Sequence, residues 1–395
     1  MLTLEDALER LLARARPTAD EEVPLGDATG RVLADPRVVA PLDVPPFANS
    51  AMDGFALRSA DTPGRLRVVA EVTAGMDGLP ATSAGEAVRI MTGAPIPPGA
   101  DAVVALEDAH ESDGSVEVPL APTGAFVRLA GSDTSAGTEV SLRGVLGPAA
   151  IAVLASFGLD RVRVRRRPTV AILSTGDELV EPGQRLRSGQ IYDSNAIALA
   201  AAVAEVGGAA HHLGRVADTR AGVEDALRAG AGFDLVVSSG GVSVGRHDHV
   251  REVLEQAGGL DFWRIAVQPG KPLAVGELGG TLVIGLPGNP VSALVTFELF
   301  VRPLIRAMLG LAGDGRPRLF ARPTERMAKD PSRRAFLRVT ARLEAGEMIA
   351  RSAGGQGSAQ LRPLAEANAL LVVPEGEEAA DPGRSYEAII VGELS

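Results

Sequence analysis

Leucines 4, 8, 11 and 12 recur with helical spacing behind Thr3, a capping residue type, and Pro17 stops the pattern, so residues 1–16 are predicted to form a helix. From about residue 20 to 165 the rhythm shortens. Segments such as Leu66–Val72 and Ala102–Leu106 lie between Gly/Pro turns and predict a mostly β region. From Pro168 to about Gly310 apolar runs alternate with amphipathic stretches. Strands are predicted at Thr169–Leu173, Ala209–Val216, Asp234–Val237 and Thr281–Gly285, with helices near 194–206, 219–229 and 247–257. That alternation is the signature of a parallel βαβ sheet. Asn289 as N-cap and Pro290 at the first helical position open an apolar run to about Leu309. Phe262–Val267 and Leu273–Val275 flank the turn Gln268-Pro-Gly-Lys-Pro272 and read as a hairpin. After Gly313-Asp-Gly-Arg-Pro317 the composition changes, and short alternating strands predict a small C-terminal β domain. The fold class expected is α/β plus β: several domains, a central parallel α/β sheet, and β-rich N-terminal and C-terminal parts. No internal repeat or low-complexity tract is visible.

Composition narrows the function. At 395 residues the chain has room for two or three domains. Its 50 acidic and 39 basic residues give a net charge of −11, which argues against a general nucleic-acid or anionic-membrane binder. An anionic ligand must therefore meet local donors. The absence of cysteine excludes thiolate metal sites, disulfides and cysteine nucleophiles. The first residues lack a basic and apolar leader pattern, and no apolar run approaches the roughly 18 residues of a membrane span, so a cytoplasmic location is expected. The 46 glycines and 27 prolines demand many tight turns. Lys271 and Lys329 are the only lysines, so arginine is the default cation and a lysine marks a place where a compact ammonium is wanted.

Ligands of open parallel sheets bind outside the carboxyl ends of the strands. Four predicted strands end in unusual sequence: Ser174-Thr-Gly-Asp-Glu-Leu179; Asp218-Thr219; Ser238-Ser-Gly-Gly-Val-Ser-Val-Gly245 followed by Asp248; and Leu286-Pro-Gly-Asn-Pro290. If the strands are parallel, all four turns share one edge. The Ser-Ser-Gly-Gly stretch offers main-chain N–H groups to a phosphate, or equally forms a strand-to-helix turn with no ligand. It carries neither the Walker Gly-Lys-Ser/Thr nor the Gly-x-Gly-x-x-Gly spacing. Asp177, Glu178, Asp218 and Asp248 are hard oxygen donors of the kind that hold Mg²⁺ together with substrate phosphates; singly, each also reads as a solvated loop acid or a cap. Lys271 can supply a point charge to an oxyanion.

Histidine adds little: His247 and His249 flank Asp248, and His211 and His212 are neighbours on a predicted strand and so face opposite ways. Neither pair is expected to bind metal. Trp263 and Tyr192 read as packing residues. In the β half, Asn49-Ser-Ala-Met-Asp-Gly-Phe55, Met91-Thr-Gly-Ala-Pro-Ile-Pro-Pro-Gly-Ala-Asp101, and Arg128 with Gly131 and Asp133 mix turn residues with possible ligands, and turn formation alone accounts for them equally well.

Taken in order, the Asn-Ser-Ala-Met-Asp-Gly element, Met-Thr-Gly-Ala-Pro-Ile-Pro-Pro-Gly-Ala-Asp, Ser-Thr-Gly-Asp-Glu-Leu, Ser-Gly-Gly-Val-Ser-Val-Gly, Pro-Gly-Lys-Pro and Gly-Leu-Pro-Gly-Asn-Pro-Val-Ser-Ala resemble the molybdopterin molybdenumtransferase family, which includes the E domain of gephyrin. The resemblance runs almost end to end. It implies an L-shaped homodimer of four-domain subunits, here residues 20–40 with 134–167, 41–133, 1–19 with 168–313, and 314–395. It also implies an active site in a cleft between the α/β domain of one subunit and β domains of the other. The substrates implied are molybdate and adenylylated molybdopterin, with Mg²⁺ assisting hydrolysis of the adenylate and release of AMP.

Carried over by position, Asp53, Thr92, Arg128 and Asp133 resemble cleft residues of the β domain, and Glu178, Asp218, Asp248 and Lys271 those of the α/β domain. Asp53, Glu178, Asp218, Asp248 and Lys271 are the expected catalytic groups, with Asp177, Glu178, Asp218 and Asp248 as metal ligands. Substrate contacts are expected from Ser238, Gly240, Gly241, Ser243, Gly245, Pro287, Gly288, Asn289 and Pro290, and from Arg338 and Ser358 in the C-terminal domain. Three positions depart from the pattern: Gln268 replaces a frequent Lys, Ala48 a frequent Asp and Ser132 a frequent Glu. Two other readings compete. A molybdopterin adenylyltransferase would resemble only residues 168–310, and a binding or scaffold protein would keep the fold without the reaction.

Overall fold

The structure, a computed structural model, describes residues 1–242 and 249–394. Its chain divides into two compact units, residues 1–21 with 165–395, and residues 22–164.

The first unit is built on a six-stranded α/β sheet. Its elements are helix α1 (Leu4–Leu12), β1 (Thr169–Thr175), α2 (Ser194–Glu205), β2 (Ala209–Val216), α3 (Arg220–Ala229), β3 (Leu235–Ser239), α4 (His249–Gln256), β4 (Leu260–Trp263), β5 (Ala274–Leu278) and β6 (Thr281–Leu286). The strand order is β2-β1-β3-β6-β5-β4. Strands β2, β1, β3 and β6 are parallel, and β5 runs antiparallel to both β6 and β4. Val170–Leu173, β3 and β6 are buried along their length, the continuous apolar run that a sheet covered on both faces requires. Caps fix the helix starts: Thr3 Oγ accepts the Asp6 N–H at 3.1 Å, Asp193 Oδ1 the Ala196 N–H at 3.0 Å and Thr219 Oγ1 the Gly222 N–H at 3.2 Å.

The expected hairpin forms, but its first strand ends at Trp263 rather than Val267. Arg264 sits at φ 80°, in the left-handed region, and turns the chain out of the sheet. Val267–Gln268 then pairs in parallel with Arg334–Ala335 of a second sheet. The run after Asn289 is helical to Met308 but not uniform. It comprises Pro290–Thr296, a π-helical turn at Phe297–Val301, and Arg302–Met308. Pro303 has no N–H for the preceding turn, and the wider turn before it accommodates that gap.

The second sheet of this unit contains the strands Arg318–Pro323, Arg334–Glu344, Glu347–Ser352, Ala369–Val373 and Tyr386–Ile390, and the pairing of 369–373 with 334–344 closes it on itself. Its interior is packed with side chains, mostly small or medium ones such as Ala335, Val339, Ala350, Ala369, Leu371 and Ala388, together with Tyr386.

The other unit holds a six-stranded mixed sheet whose neighbours run 102–105, 54–57, 86–90, 64–72, 115–118 and 110–112. Gly54 is obligatory there, because a Cβ would lie 1.9 Å from the Val104 carbonyl oxygen. A separate core joins Leu25, Leu33, Leu146, Leu154, Val162 and Val164 around the helix Pro148–Ser156. That helix is apolar on every side, so the sequence carried no amphipathic signal for it. Among the described residues no helix is long and apolar enough to cross a membrane.

Asp234 ties the start of β3 to the start of β1. Its carboxylate accepts two bonds from Arg166 (2.8 and 2.9 Å) and bonds from the Thr169 N–H (2.7 Å) and Oγ1 (2.8 Å). Burial pushes its pKa up, but the Arg166 and Thr169 bonds outweigh burial and hold it below the ordinary value. Stability from this group is present above the unfolded pKa of about 3.9 and lost as pH falls through the lower native value. Asp234→Asn should therefore lower the urea midpoint at pH 6 to 7, with the gap from wild type closing as pH falls below about 4. A gap independent of pH would contradict this.

Candidate active site

The parallel register places four turns at one edge of the α/β sheet. After β1, Gly176 has φ 149°, and a Cβ there would lie 2.7 Å from Glu178 Oε2, so glycine lets the Glu178 carboxylate fold back over its own turn. Asp177 Oδ1 lies 3.4 Å from the Asp218 N–H and ties this turn to the one after β2. Asp177 and Glu178 are exposed and Asp218 is half-buried.

After β3, Gly240 and Gly241 both have positive φ, 97° and 70°. A Cβ on Gly240 would stand 2.8 Å from Thr175 Oγ1, and the Gly240 N–H donates to the Leu286 carbonyl at 3.0 Å. Across from it, a Cβ built on Gly288 would stand 3.6 Å from Gly240 Cα, so the turns after β3 and β6 meet main chain to main chain. Asn195 locks them: its Nδ2 donates to Ser239 Oγ at 2.7 Å and to the Gly288 carbonyl at 2.8 Å. Ser174 Oγ and Ser238 Oγ are buried beneath this edge without a hydrogen-bond partner among the described residues. Pro287 is buried, whereas Gly288 and Asn289 are exposed. Ser243, Gly245 and Asp248 lie outside the described residues.

The same edge is joined by the loop around Ser358. Asn289 Nδ2 donates to Ser358 Oγ at 3.0 Å, and the Val291 N–H donates to the Ser358 carbonyl at 3.1 Å. Behind this loop lies Arg338, 1% exposed, whose Nη2 donates to the carbonyls of Gly355 (2.8 Å) and Gly357 (3.2 Å), while its Nε has no partner among the described residues. Its guanidinium is thus a buried charge that shapes the loop, and burial lowers its pKa. Lys271 is exposed, and its ammonium makes no hydrogen bond or ion pair among the described residues. The turn that carries it packs tightly on the helix after β6: Gly270 has φ 111°, and a Cβ there would lie 2.3 Å from Thr296 Cγ2.

In the 22–164 unit, Asp53 Oδ1 accepts the Thr92 N–H at 2.6 Å and the Thr92 hydroxyl at 2.7 Å. The hydroxyl bond first, then the main-chain bond, hold the exposed Asp53 carboxyl below its ordinary pKa. Arg128 is exposed and opposite Asn49 in a short antiparallel pair. Asp133 is exposed on a turn held by bonds from the Gly131 and Asp133 N–H groups to the Pro45 and Val44 carbonyls. Asp43 supports that turn by accepting the Ala136 N–H at 2.8 Å.

Sequence reasoning missed Asn195 and Asp43. Asn195 stood in the Asp-Ser-Asn cluster that starts α2, where it reads as one more capping residue. His211 and His212 are both exposed on the edge strand β2. Among the described residues no three acids or histidines converge tightly enough to hold a metal by themselves. A depression of about 460 Å³ at the opposite edge of the sheet is lined by Arg14, Arg166, Asp234 and Glu277, but Arg166 and Asp234 saturate each other there.

Comparison with known proteins covers the whole chain. Residues 2–158 match the MoeA N-terminal region (domain I and II), residues 171–307 a probable molybdopterin binding domain, and residues 321–391 the MoeA C-terminal region (domain IV). The chain is 41% identical over 375 residues to molybdopterin molybdenumtransferase 2 of Mycobacterium tuberculosis, spanning 89% of this chain and 90% of that one. It is 39% identical to molybdopterin molybdenumtransferase of Haemophilus influenzae, spanning 95% of each. A crystal structure of a molybdopterin biosynthesis moea protein from Pyrococcus horikosii superposes with a TM-score of 0.84 at 34% identity over 100% of both chains.

The geometry makes two predictions. Thr92→Val removes the hydroxyl bond but keeps the main-chain one, so the Asp53 pKa should rise toward its ordinary value in an NMR titration; no movement would contradict the assigned cause. Asn195→Ala removes both cross-links and should destabilise the unit that carries the α/β sheet by about 1–3 kcal/mol in urea denaturation.

Proposed function

The chain belongs to the molybdopterin molybdenumtransferase family, transferases of molybdenum cofactor biosynthesis, and on that premise we propose how its residues divide the work. The substrates are adenylylated molybdopterin and molybdate. Matches along the whole length favour this reaction over the adenylyltransferase alternative, which would account for the α/β segment alone.

The observation that carries the reading is the meeting of glycine turns at the carboxyl edge of the sheet, with acids on adjoining turns and a lysine that is unpaired among the described residues. At Gly240, Gly241 and Gly288 no side chain stands between main chain and ligand, which suits the phosphates of the adenylate. Lys271 supplies the point charge for the oxyanion, with Asn289 and Ser358 as neutral donors nearby. Arg338, positioned behind the 354–358 loop, contributes a fixed positive field and keeps that loop in shape.

Asp177, Glu178 and Asp218 offer oxygen donors, the type Mg²⁺ takes, on adjoining turns; among the described residues they form no cage by themselves, so a bound ion would also need water and phosphate oxygens. Asp248 is the fourth expected ligand. Bound there, Mg²⁺ would neutralise charge on the phosphoanhydride as AMP leaves. Water adds across the anhydride bond, so one product phosphate stays on molybdopterin and the other departs on AMP. The carboxylates orient that water and accept its proton. The homodimeric cleft implied by the family would bring Asp53, Thr92, Arg128 and Asp133 of one subunit to the site of the other.

Purified protein given molybdopterin adenylate and Mg²⁺ should release AMP in a molybdate-dependent manner and yield cofactor that activates an apo-molybdoenzyme. Glu178→Gln should slow that release by roughly 100-fold or more. Undiminished molybdenum insertion by the variant would remove Glu178 from the machinery. Tight adenylate binding without turnover would favour the scaffold reading.

A further inference from the structure

The turn that presents Lys271 is clamped on both sides. On one side the Leu2 N–H donates to the Arg264 carbonyl at 3.2 Å, and the Ala266 N–H donates to the Leu2 carbonyl at 3.0 Å. On the other the Arg334 N–H donates to the Ala266 carbonyl at 2.9 Å, and Val267–Gln268 pairs with Arg334–Ala335. The Ile265 N–H donates to the Lys271 carbonyl at 3.0 Å and closes the loop. Gln268 is the last paired residue before Pro269-Gly270-Lys271, and its side chain makes one more bond: Oε1 accepts the Asp330 N–H at 3.0 Å.

That partner is itself immobilised. The Asp330 carboxylate accepts the Ser332 N–H (2.9 Å) and hydroxyl (2.6 Å) and Arg333 Nε (2.9 Å) and Nη2 (2.6 Å). Lys329, the other lysine, is 9% exposed and spends its ammonium on the Arg333 carbonyl at 2.5 Å and the Asp330 carbonyl at 3.3 Å. The turn at 329–333 is therefore a rigid post on the C-terminal barrel. Because its donor is a main-chain N–H, the Gln268 amide must present oxygen to it, so a lysine at 268, which only donates, could not make this bond.

We infer that Gln268 is a positioning residue: by accepting the Asp330 N–H it holds the turn from which Lys271 meets the oxyanion. At this position the chain has exchanged a frequent family charge for an anchor. The inference rests on the reading of Lys271 as the oxyanion's cation. Order in the turn lowers the cost of binding without adding a contact to the transition state, so Gln268 should act on molybdate affinity more than on turnover at saturation.

The test uses the intact chain and exploits the two lysines of this sequence. Lys271 is exposed and Lys329 is not, so acetylation by an amine-reactive ester, mapped by peptide mass spectrometry, reports on Lys271. Molybdate should protect Lys271 in the wild type. Gln268→Met, of similar size but without the acceptor, should need about three- to tenfold more molybdate for the same protection, the range of one lost hydrogen bond. Its KM for molybdate should rise by the same factor, while kcat stays within about twofold of wild type. Hydrogen exchange at the 329–333 turn should quicken in Gln268→Met and stay slow in Gln268→Glu, which keeps an acceptor. Protection in the wild type with unchanged molybdate dependence in Gln268→Met overturns the role of Gln268 alone. Absence of protection in the wild type, with Lys271→Met as active as wild type, overturns the reading of Lys271 on which it rests.

Discussion

The close approach of two main-chain turns, at Gly240 and Gly288, is the constraint on which the site depends. It requires β3 and β6 to be parallel neighbours in register, with Ser239 opposite Leu286. It requires a glycine at 240, where φ is positive and a Cβ would meet Thr175, and a donor to hold the pair, which Asn195 provides from the start of α2. Burial of β1, β3 and β6 on both faces fixes that register, because a slipped strand would carry buried apolar side chains out of step with their neighbours. The core thus determines where exposed main-chain groups appear.

Electrostatics then selects what can bind. The protein is acidic overall, and many of its arginines are committed: Arg166 to Asp234, Arg316 to Glu298 and Glu205, Arg334 to Glu5 and Glu375. A planar guanidinium suits such forked pairing with carboxylates. Lys271 is left as a compact charge on a braced turn, and the ammonium of Lys329 serves the turn that braces it. Arg338 is a different solution, a buried cation bonded to the carbonyls of the loop that it holds.

Much of this was legible in the sequence. Strand and helix periods differ, so the βαβ alternation over 168–310 and the strands at 66–72 and 102–105 could be read directly, and the turns rich in Gly, Ser and Asp follow parallel strands and so share one edge. What could not be read involves partners far apart in the chain. Asn195 looks like a capping residue until Ser239 and Gly288 are placed beside it. Gln268 looks like a lost charge until Asp330 lies opposite. Arg264 has no local signature for a left-handed turn, and nothing local announces that strands 334–344 and 369–373 close a barrel. The helix at 148–156 escaped for the opposite reason, being apolar all round.

The central claim is that the adenylate binds at the carboxyl edge of the parallel sheet, on the glycine turns. A crystal structure of the protein with molybdopterin adenylate bound tests it most directly. The account predicts the phosphates against the main chain of Gly240, Gly241 and Gly288, with Lys271 at the end of the ligand where the oxyanion is received. Phosphates bound instead at the opposite edge, among Arg14, Arg166 and Glu277, would contradict it.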